Sequence, residues 1–289
     1  MGGGSLKEKC RANLAAIRLV RKLQSENRNP TNEEKSALVR YVGWGGLPQV
    51  FSPATDWQAE NLELATLLSQ DEFRAARATT LNAHYTAGAV VKGMYSALER
   101  LGFKQGRILE PACGIGHFIG FMPEPMLSHS TVTGVEIDPL TAQIAKALYP
   151  DADIRNQAFE QSKLPNEFFD LAISNIPFGD YKPFDPKFND HGFLIHDYFF
   201  AAALEKVRSG GLVVFITSRG TMDKADPALR KYVGDRAELL GAIRLPNTAF
   251  KRNANTEVTT DILFLKKRPA GEAVRTTSAA GIHPRRCSP

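Results

Sequence analysis

The chain has 289 residues, 43% hydrophobic and 23% charged, which is enough apolar material for a sizeable core in one large domain or a domain plus an extension. Its net charge of +5 resides at one end: from Lys266 to Pro289 six basic residues stand against the single acid Glu272, so the rest is formally neutral and total charge is weak evidence for a polyanionic partner. Cys10, Cys113 and Cys287 lie far apart without metal-ligand spacing, no window approaches the roughly 18 apolar residues of a membrane span, and "MGGGSLKEKC" lacks a signal-peptide core, so a disulfide framework, a structural metal and a membrane partner are excluded and a cytoplasmic setting is expected.

In residues 6–25, Leu6, Cys10, Leu14, Ile17 and Val20 are spaced as on one helix face. "NPTNEEKSALVRYVGWGG" supplies an Asn or Thr cap, first-turn acids and a Gly terminus, predicting a second helix over about 32–42. The turn-rich "GWGGLPQVF" follows, with Trp44 placed to pack the helical extension onto the next domain. From Arg107 the pattern becomes strand, loop, helix. "GRILEPA", "STVTGVEI", "ADIRNQA", "FFDLAISN" and "GGLVVFITS" read as strands, and "PLTAQIAKALY" and "HDYFFAAALEKVRSG" as helices between them. "LLGAIRLP" and "TTDILFLKK" have no helix between them and are expected to pair antiparallel. The expected fold is therefore α/β, a mostly parallel sheet closed by a terminal antiparallel hairpin, with a helical extension at 1–78, the α/β domain at 79–268 and a disordered basic tail at 269–289.

"ILEPACGIGHF" puts Glu110 at the end of the first strand and Gly114 and Gly116 at the turn into a helix, where glycines let backbone approach a ligand. A lone G-x-G is more often just a tight turn. Here "GVEIDP" adds Glu136 at the end of the second strand, placed to take both hydroxyls of a ribose, while Asp138 followed by Pro139 reads as a helix cap. There is no G-K-[ST], and Ile119 stands where a third glycine would complete a dinucleotide fingerprint. Glu110 would repel a pyrophosphate, so the expected ligand is a nucleoside carrying an amino group and positive charge.

"EPACGIG", then "GVEID", then "NIPF" resembles the gamma-type S-adenosylmethionine-dependent N6-adenine DNA methyltransferases. "GWGG", "HYT", "NIPFGDY", "HDYFF" and "RLPNTAF" with "TEVTTDILFLKKR" are similar to the methylase region of large plasmid- and phage-borne methylase-helicase proteins, up to about Arg268. The resemblance implies a Rossmann-like class I methyltransferase fold, S-adenosylmethionine as cofactor and DNA as partner. It implies that Tyr85 and Thr86 contact the methionine carboxylate, that Glu110 receives the ammonium, that Ala112 and Gly114 line the methionine arm and that Glu136 binds the ribose. Ala158, Phe159 and Glu160 match an acidic-aromatic element near the cofactor's adenine, with the aromatic before the acid instead of after it. For Phe159 a core role stands beside a stacking one.

The segment "NIPF" then acquires a chemical reading. An exocyclic base amine is a poor nucleophile because its lone pair is delocalised. Two acceptors, the Asn175 side-chain carbonyl and the Ile176 backbone carbonyl, would draw it toward tetrahedral geometry and stabilise the developing charge. Phe178 offers a stacking face for an extruded base. Where the family usually has Pro, this chain has Ile176, and Pro177 already holds that residue extended. Downstream, Tyr181, Lys182, Phe184, Lys187 and Phe188 interleave aromatics and bases, as suits unstacked nucleic acid, or else fold back on the domain. Asp197 reads as a first-turn acid and His196 as structural.

Methyl transfer to adenine N6 in DNA is thus the leading expectation. Methylation of a protein glutamine amide, which an N-x-P-[FY] loop serves equally well, and a non-catalytic cofactor- or DNA-binding module are the alternatives. Nothing after the hairpin reads as a target-recognition domain. A catalytic core lacking its sequence reader and helicase region is therefore expected, in a restriction-modification, anti-restriction or methylase-helicase setting.

Overall fold

The computed structural model describes residues 4–52, 56–81, 86–246, 259–269 and 271. Helix α1 (Leu6–Ser25) starts at Ser5, whose side chain and that of Glu8 cap each other's backbone amides, and it buries Cys10, Leu14, Ile17 and Val20. Helix α2 (Asn32–Leu38) has the same device in Thr31 and Glu34 but stops short of the expected residue 42. The reason lies in Asn13, a fully buried amide of α1. It accepts from the Val42 N–H at 2.8 Å and donates to the Gly43 carbonyl at 2.6 Å, so these backbone groups serve a turn instead of a helix.

Helices α3 (Gln58–Leu67) and α4 (Gln70–Ala78) complete the extension. Trp44 is buried edge-on to Tyr41 and Phe51, with ring centroids 6.3 and 5.4 Å away.

Helix α5 (Gly88–Arg100) leads into a seven-stranded sheet made of β1 (Arg107–Glu110), β2 (Thr131–Glu136), β3 (Asp153–Asn156), β4 (Phe169–Asn175), β5 (Val207–Ser218), β6 (Ala237–Arg244) and β7 (Thr260–Lys267). Short helices α6 (His117–Gly120) and α7 (Glu124–Leu127) follow β1, and α8 (Pro139–Leu148) follows β2. Helix α9 (Ile195–Lys206) joins β4 to β5, and α10 (Gly220–Asp223) and α11 (Ala228–Arg236) join β5 to β6. The order is β3-β2-β1-β4-β5-β7-β6, with β1 to β5 parallel. One face packs on α9 through Leu109, Phe169, Phe200 and Phe215, the other on α5 through Val91, Met94, Ile108 and Val214. The extension packs on the outer side of α8, where Leu140, Ile144 and Leu148 share a core with Leu14, Ile17 and Trp44.

Two further sequence expectations change, both in the sheet. Strands β6 and β7 do pair antiparallel, but β7 inserts between β5 and β6 and is antiparallel to both. Ile262 to Leu265 are all buried, as a strand covered on both faces requires, whereas Leu239 and Ile243 of β6 are exposed, which suits the edge. The other change is at Val207–Ser209, expected at the end of a helix. These residues open β5, because the β-branched Val207 lies opposite Phe169 and Gly210–Gly211 follow.

Candidate active site

The carboxyl ends of β1, β2 and β4 open into one cavity of about 450 Å3. Of the residues the sequence singled out, Thr86, Glu110, Ala112, Gly114, Glu136, Phe159, Asn175, Ile176, Pro177, Phe178 and Tyr181 line it. Tyr85 lies outside the described residues. Gly116 and the exposed Lys182 do not line the cavity. Gly116 has a local explanation: its φ of +83° is left-handed, and a Cβ there would come 2.5 Å from the Tyr149 ring, so the turn needs glycine for packing. Gly114 also has positive φ, at +55°, and it does face the cavity.

Glu110 is 2% exposed at the end of β1, and it accepts from the Phe118 amide. Its Oε2 is buried with no hydrogen-bond partner. Burial, reinforced by the nearby Glu136, pushes its carboxyl well above the usual carboxylate range, and the Phe118 amide offsets this only in part. A buried acceptor of this kind, in a cavity wall, is matched to a cation.

Glu136, at the end of β2, is held by two backbone donors: Gly114 N–H to Oε2 and Asp138 N–H to Oε1, both at 2.8 Å. Burial nevertheless pushes it up to about 7, against the opposing pull of the Asp138 and Gly114 amides. Because the folded-state value lies above the ordinary 4.5, Glu136 makes the protein lose stability as pH rises from about 4.5 to about 7. Thermal melts of the ligand-free protein should show that decline, and Glu136→Gln should flatten it. Asp138 caps α8 by accepting from the Thr141 N–H at 2.8 Å, as its Asp-Pro context predicts.

Strand β4 delivers Asn175, half-buried, to the floor of the cavity. Ile176 is 2% exposed, its side chain is in the core, and its N–H donates to the Ile216 carbonyl at 3.2 Å. Its side chain is therefore committed to packing. Phe178 is half-buried against the same core rather than fully exposed. The following loop is tied down where the Ile195 N–H donates to the Tyr181 carbonyl and the Tyr198 hydroxyl donates to Asp185 Oδ2, both at 2.9 Å. Its aromatics divide: Phe188 and Phe193 fold into the core, while Tyr181 and Phe184 are 50% and 78% exposed. Asp197 is buried beside Lys224 in an ion pair, with His196 next to it. Phe159 packs 5.0 Å from the Phe199 ring, in keeping with a core role, and also lines the cavity.

The cavity also has a wall that sequence reasoning did not foresee. Tyr41, Gly43, Ala75, Ala78 and Thr79 line it, as do His117 and Gln157, while Glu160, next to Phe159 in the acidic-aromatic element, lines the cavity as well. The aromatic-glycine cluster "GWGG" was the available signal, and Gly43 is where it meets the cavity. Burial pushes His117 down to about 4, leaving it neutral near pH 7. Among the described residues no cluster of His, Cys, Asp and Glu could hold a metal, and no helix is long and apolar enough to cross a membrane.

The chain is 26% identical over 269 residues to the defense against restriction protein B of Escherichia phage P1, covering 90% of this chain and 10% of that protein, so it spans about a tenth of that relative's length. It is 27% identical over 180 residues to an rRNA N(6)-adenosine-methyltransferase of Caenorhabditis elegans, covering 58% and 79% of the two chains. A class I S-adenosylmethionine-dependent methyltransferase from Listeria monocytogenes superimposes with a TM-score of 0.57 at 18% identity, over 93% of this chain and 91% of that one. The modification subunit of a type I restriction enzyme from Vibrio vulnificus gives 0.55 at 19% identity, over 73% and 49%. These similarities establish the class I methyltransferase fold. The family profile described as N-6 DNA methylase matches residues 70–279, and the chain belongs to that family.

Proposed function

We propose that this chain methylates the N6 amino group of adenine in DNA, using S-adenosylmethionine. The observation that carries the reading is the single cavity into which β1, β2 and β4 bring Glu110, Glu136 and the Asn175–Phe178 segment together. When bound, S-adenosylmethionine supplies a methyl group already activated on a positively charged sulfur. The unpartnered Oε2 of Glu110 fits its ammonium group. Glu136, oriented by Gly114 and Asp138, serves the ribose, Thr86 with Tyr85 the carboxylate, Ala112 and Gly114 the methionine arm, and Phe159 the adenine.

At the other end, the Asn175 side-chain carbonyl and the Ile176 backbone carbonyl accept the two hydrogens of the target amine and stabilise the charge it gains. Phe178 stacks on the flipped base, and the nitrogen then sheds one proton to water. Tyr181 and Lys182 contact the DNA beside the flipped base. In this reading the chain is a catalytic core whose recognition sequence comes from other regions, in keeping with the much longer phage relative.

Two variants bear on the assignment. Glu136→Ala should weaken S-adenosylmethionine binding by about 1 to 3 kcal/mol, the scale for losing hydrogen bonds to a charged acceptor, as calorimetry would show. Ile176→Pro removes the bond to Ile216 and changes a buried core side chain, and should cost about 2 to 4 kcal/mol of stability. It should nevertheless keep methyl transfer within about tenfold, since the backbone carbonyl remains. The reading itself is tested with labelled S-adenosylmethionine and two duplexes, one containing adenine and one with hypoxanthine at every adenine position. Label should enter only the first; equal labelling would refute N6 as the acceptor.

A further inference from the structure

The extension is fastened to the cofactor half of the cavity by buried contacts. Asn13 holds the Val42–Gly43 turn from both sides. Tyr41 is buried with its hydroxyl beside Thr141 and Asp138, at the helix start that follows Glu136. Arg21 of α1 donates to Glu72 of α4 and, at 3.0 Å, to Gln143 of α8, so one guanidinium ties α4 to the helix behind β2. These ties hold Gly43, together with Ala75 and Ala78 of α4 and its cap Thr79, in the wall of the same cavity that Glu136 lines. These positions carry small side chains, although Ala78 is exposed and a larger residue would meet no packing limit from the core. On the far side of α4, Arg77 points to solvent.

From this arrangement we infer that the helical extension is the ribose-side wall of the cofactor chamber: Gly43, Ala75, Ala78 and Thr79 contact the nucleoside end of the cofactor, and Asn13 and Arg21 are positioning residues for its binding. The inference rests on the cofactor assignment made above. It makes affinity for the cofactor a property of the extension as well as of the sheet, with small residues on α4 because a ligand must fit beneath them.

The test uses the full chain and S-adenosylhomocysteine, which needs no turnover. Hydrogen exchange should show that the ligand protects amides in residues 41–46 and 75–79 as well as those in 110–117 and 136–138. In calorimetry, Ala78→Phe should raise Kd by about tenfold or more by filling the chamber, with the melting temperature of the ligand-free protein unchanged, while Arg77→Phe binds as the parent does. Arg21→Met should also weaken binding, with Arg21→Lys intermediate because a single ammonium cannot span both partners as the guanidinium fork does. Protection confined to 110–117 and 136–138, or parent-like affinity in Ala78→Phe, would overturn the inference while leaving the cofactor assignment standing. Failure of the parent chain to bind S-adenosylhomocysteine would remove both.

Discussion

Asn175→Ala should slow methyl transfer to DNA by about a hundred- to a thousandfold, about 2.7 to 4 kcal/mol, the scale for deleting one preorganised polar partner of a transition state. The effect is large because Asn175 lies at the floor of a half-enclosed cavity, where a lost acceptor is not replaced by bulk water at the moment charge develops. The fold should tolerate the change. Asn175 ends β4, paired in register with Ile216, and alanine keeps the backbone of that ladder. Under the proposed assignment of Glu110 and Glu136 to the cofactor, S-adenosylhomocysteine affinity should stay within about twofold of the parent. Single-turnover transfer measured beside calorimetry separates the two quantities. A variant as active as the parent would make the segment a structural turn.

Glu110→Gln should have opposite effects on binding and stability. Losing the charge that faces the ammonium should weaken cofactor binding by about 1.5 to 3 kcal/mol, roughly 10- to 150-fold in Kd. The ligand-free protein should gain stability above neutral pH. Glu110 has its folded-state value raised, so its contribution is fully present at low pH and is lost as pH rises beyond the ordinary carboxylate value and through the folded one. Glutamine keeps the shape and removes the titration. For the same reason, parent affinity for S-adenosylmethionine should strengthen as pH rises above the ordinary carboxylate range, with protons released on binding. Calorimetry in buffers of different ionisation enthalpy detects that release. Weaker binding without the gain in stability, or the reverse, would mean that Glu110 is not the buried cation acceptor.

Glu110, Glu136 and Asn175 were legible in the sequence because each ends an apolar strand, and in a parallel sheet such ends gather on one side. The position of β7 was not foreseen from the hairpin alone, since adjacency in sequence says that two strands pair but not which lies inward. The information was nonetheless present: "DILFL" is apolar on both faces, and β6 is not. Gly116 shows the limit of glycine patterns, because packing against Tyr149 requires glycine there as firmly as a ligand would. Nor did the aromatic spacing of 181–193 reveal that Phe188 and Phe193 point inward while Tyr181 and Phe184 remain outside. The wall formed by Gly43 and α4 was hidden for a different reason. A buried Trp44 reads as core wherever it sits, and only the docking of the extension on α8 turns its neighbours toward the cavity.

The most direct test of the proposed activity is identification of the methylated product. The chain is incubated with methyl-labelled S-adenosylmethionine and, separately, with DNA, RNA and protein, and each is digested to nucleosides or amino acids for mass spectrometry. The account predicts label in N6-methyldeoxyadenosine from the DNA, lost in Asn175→Ala. Label found instead in RNA adenosine, in a glutamine side chain, or in no product despite measured cofactor binding would contradict it.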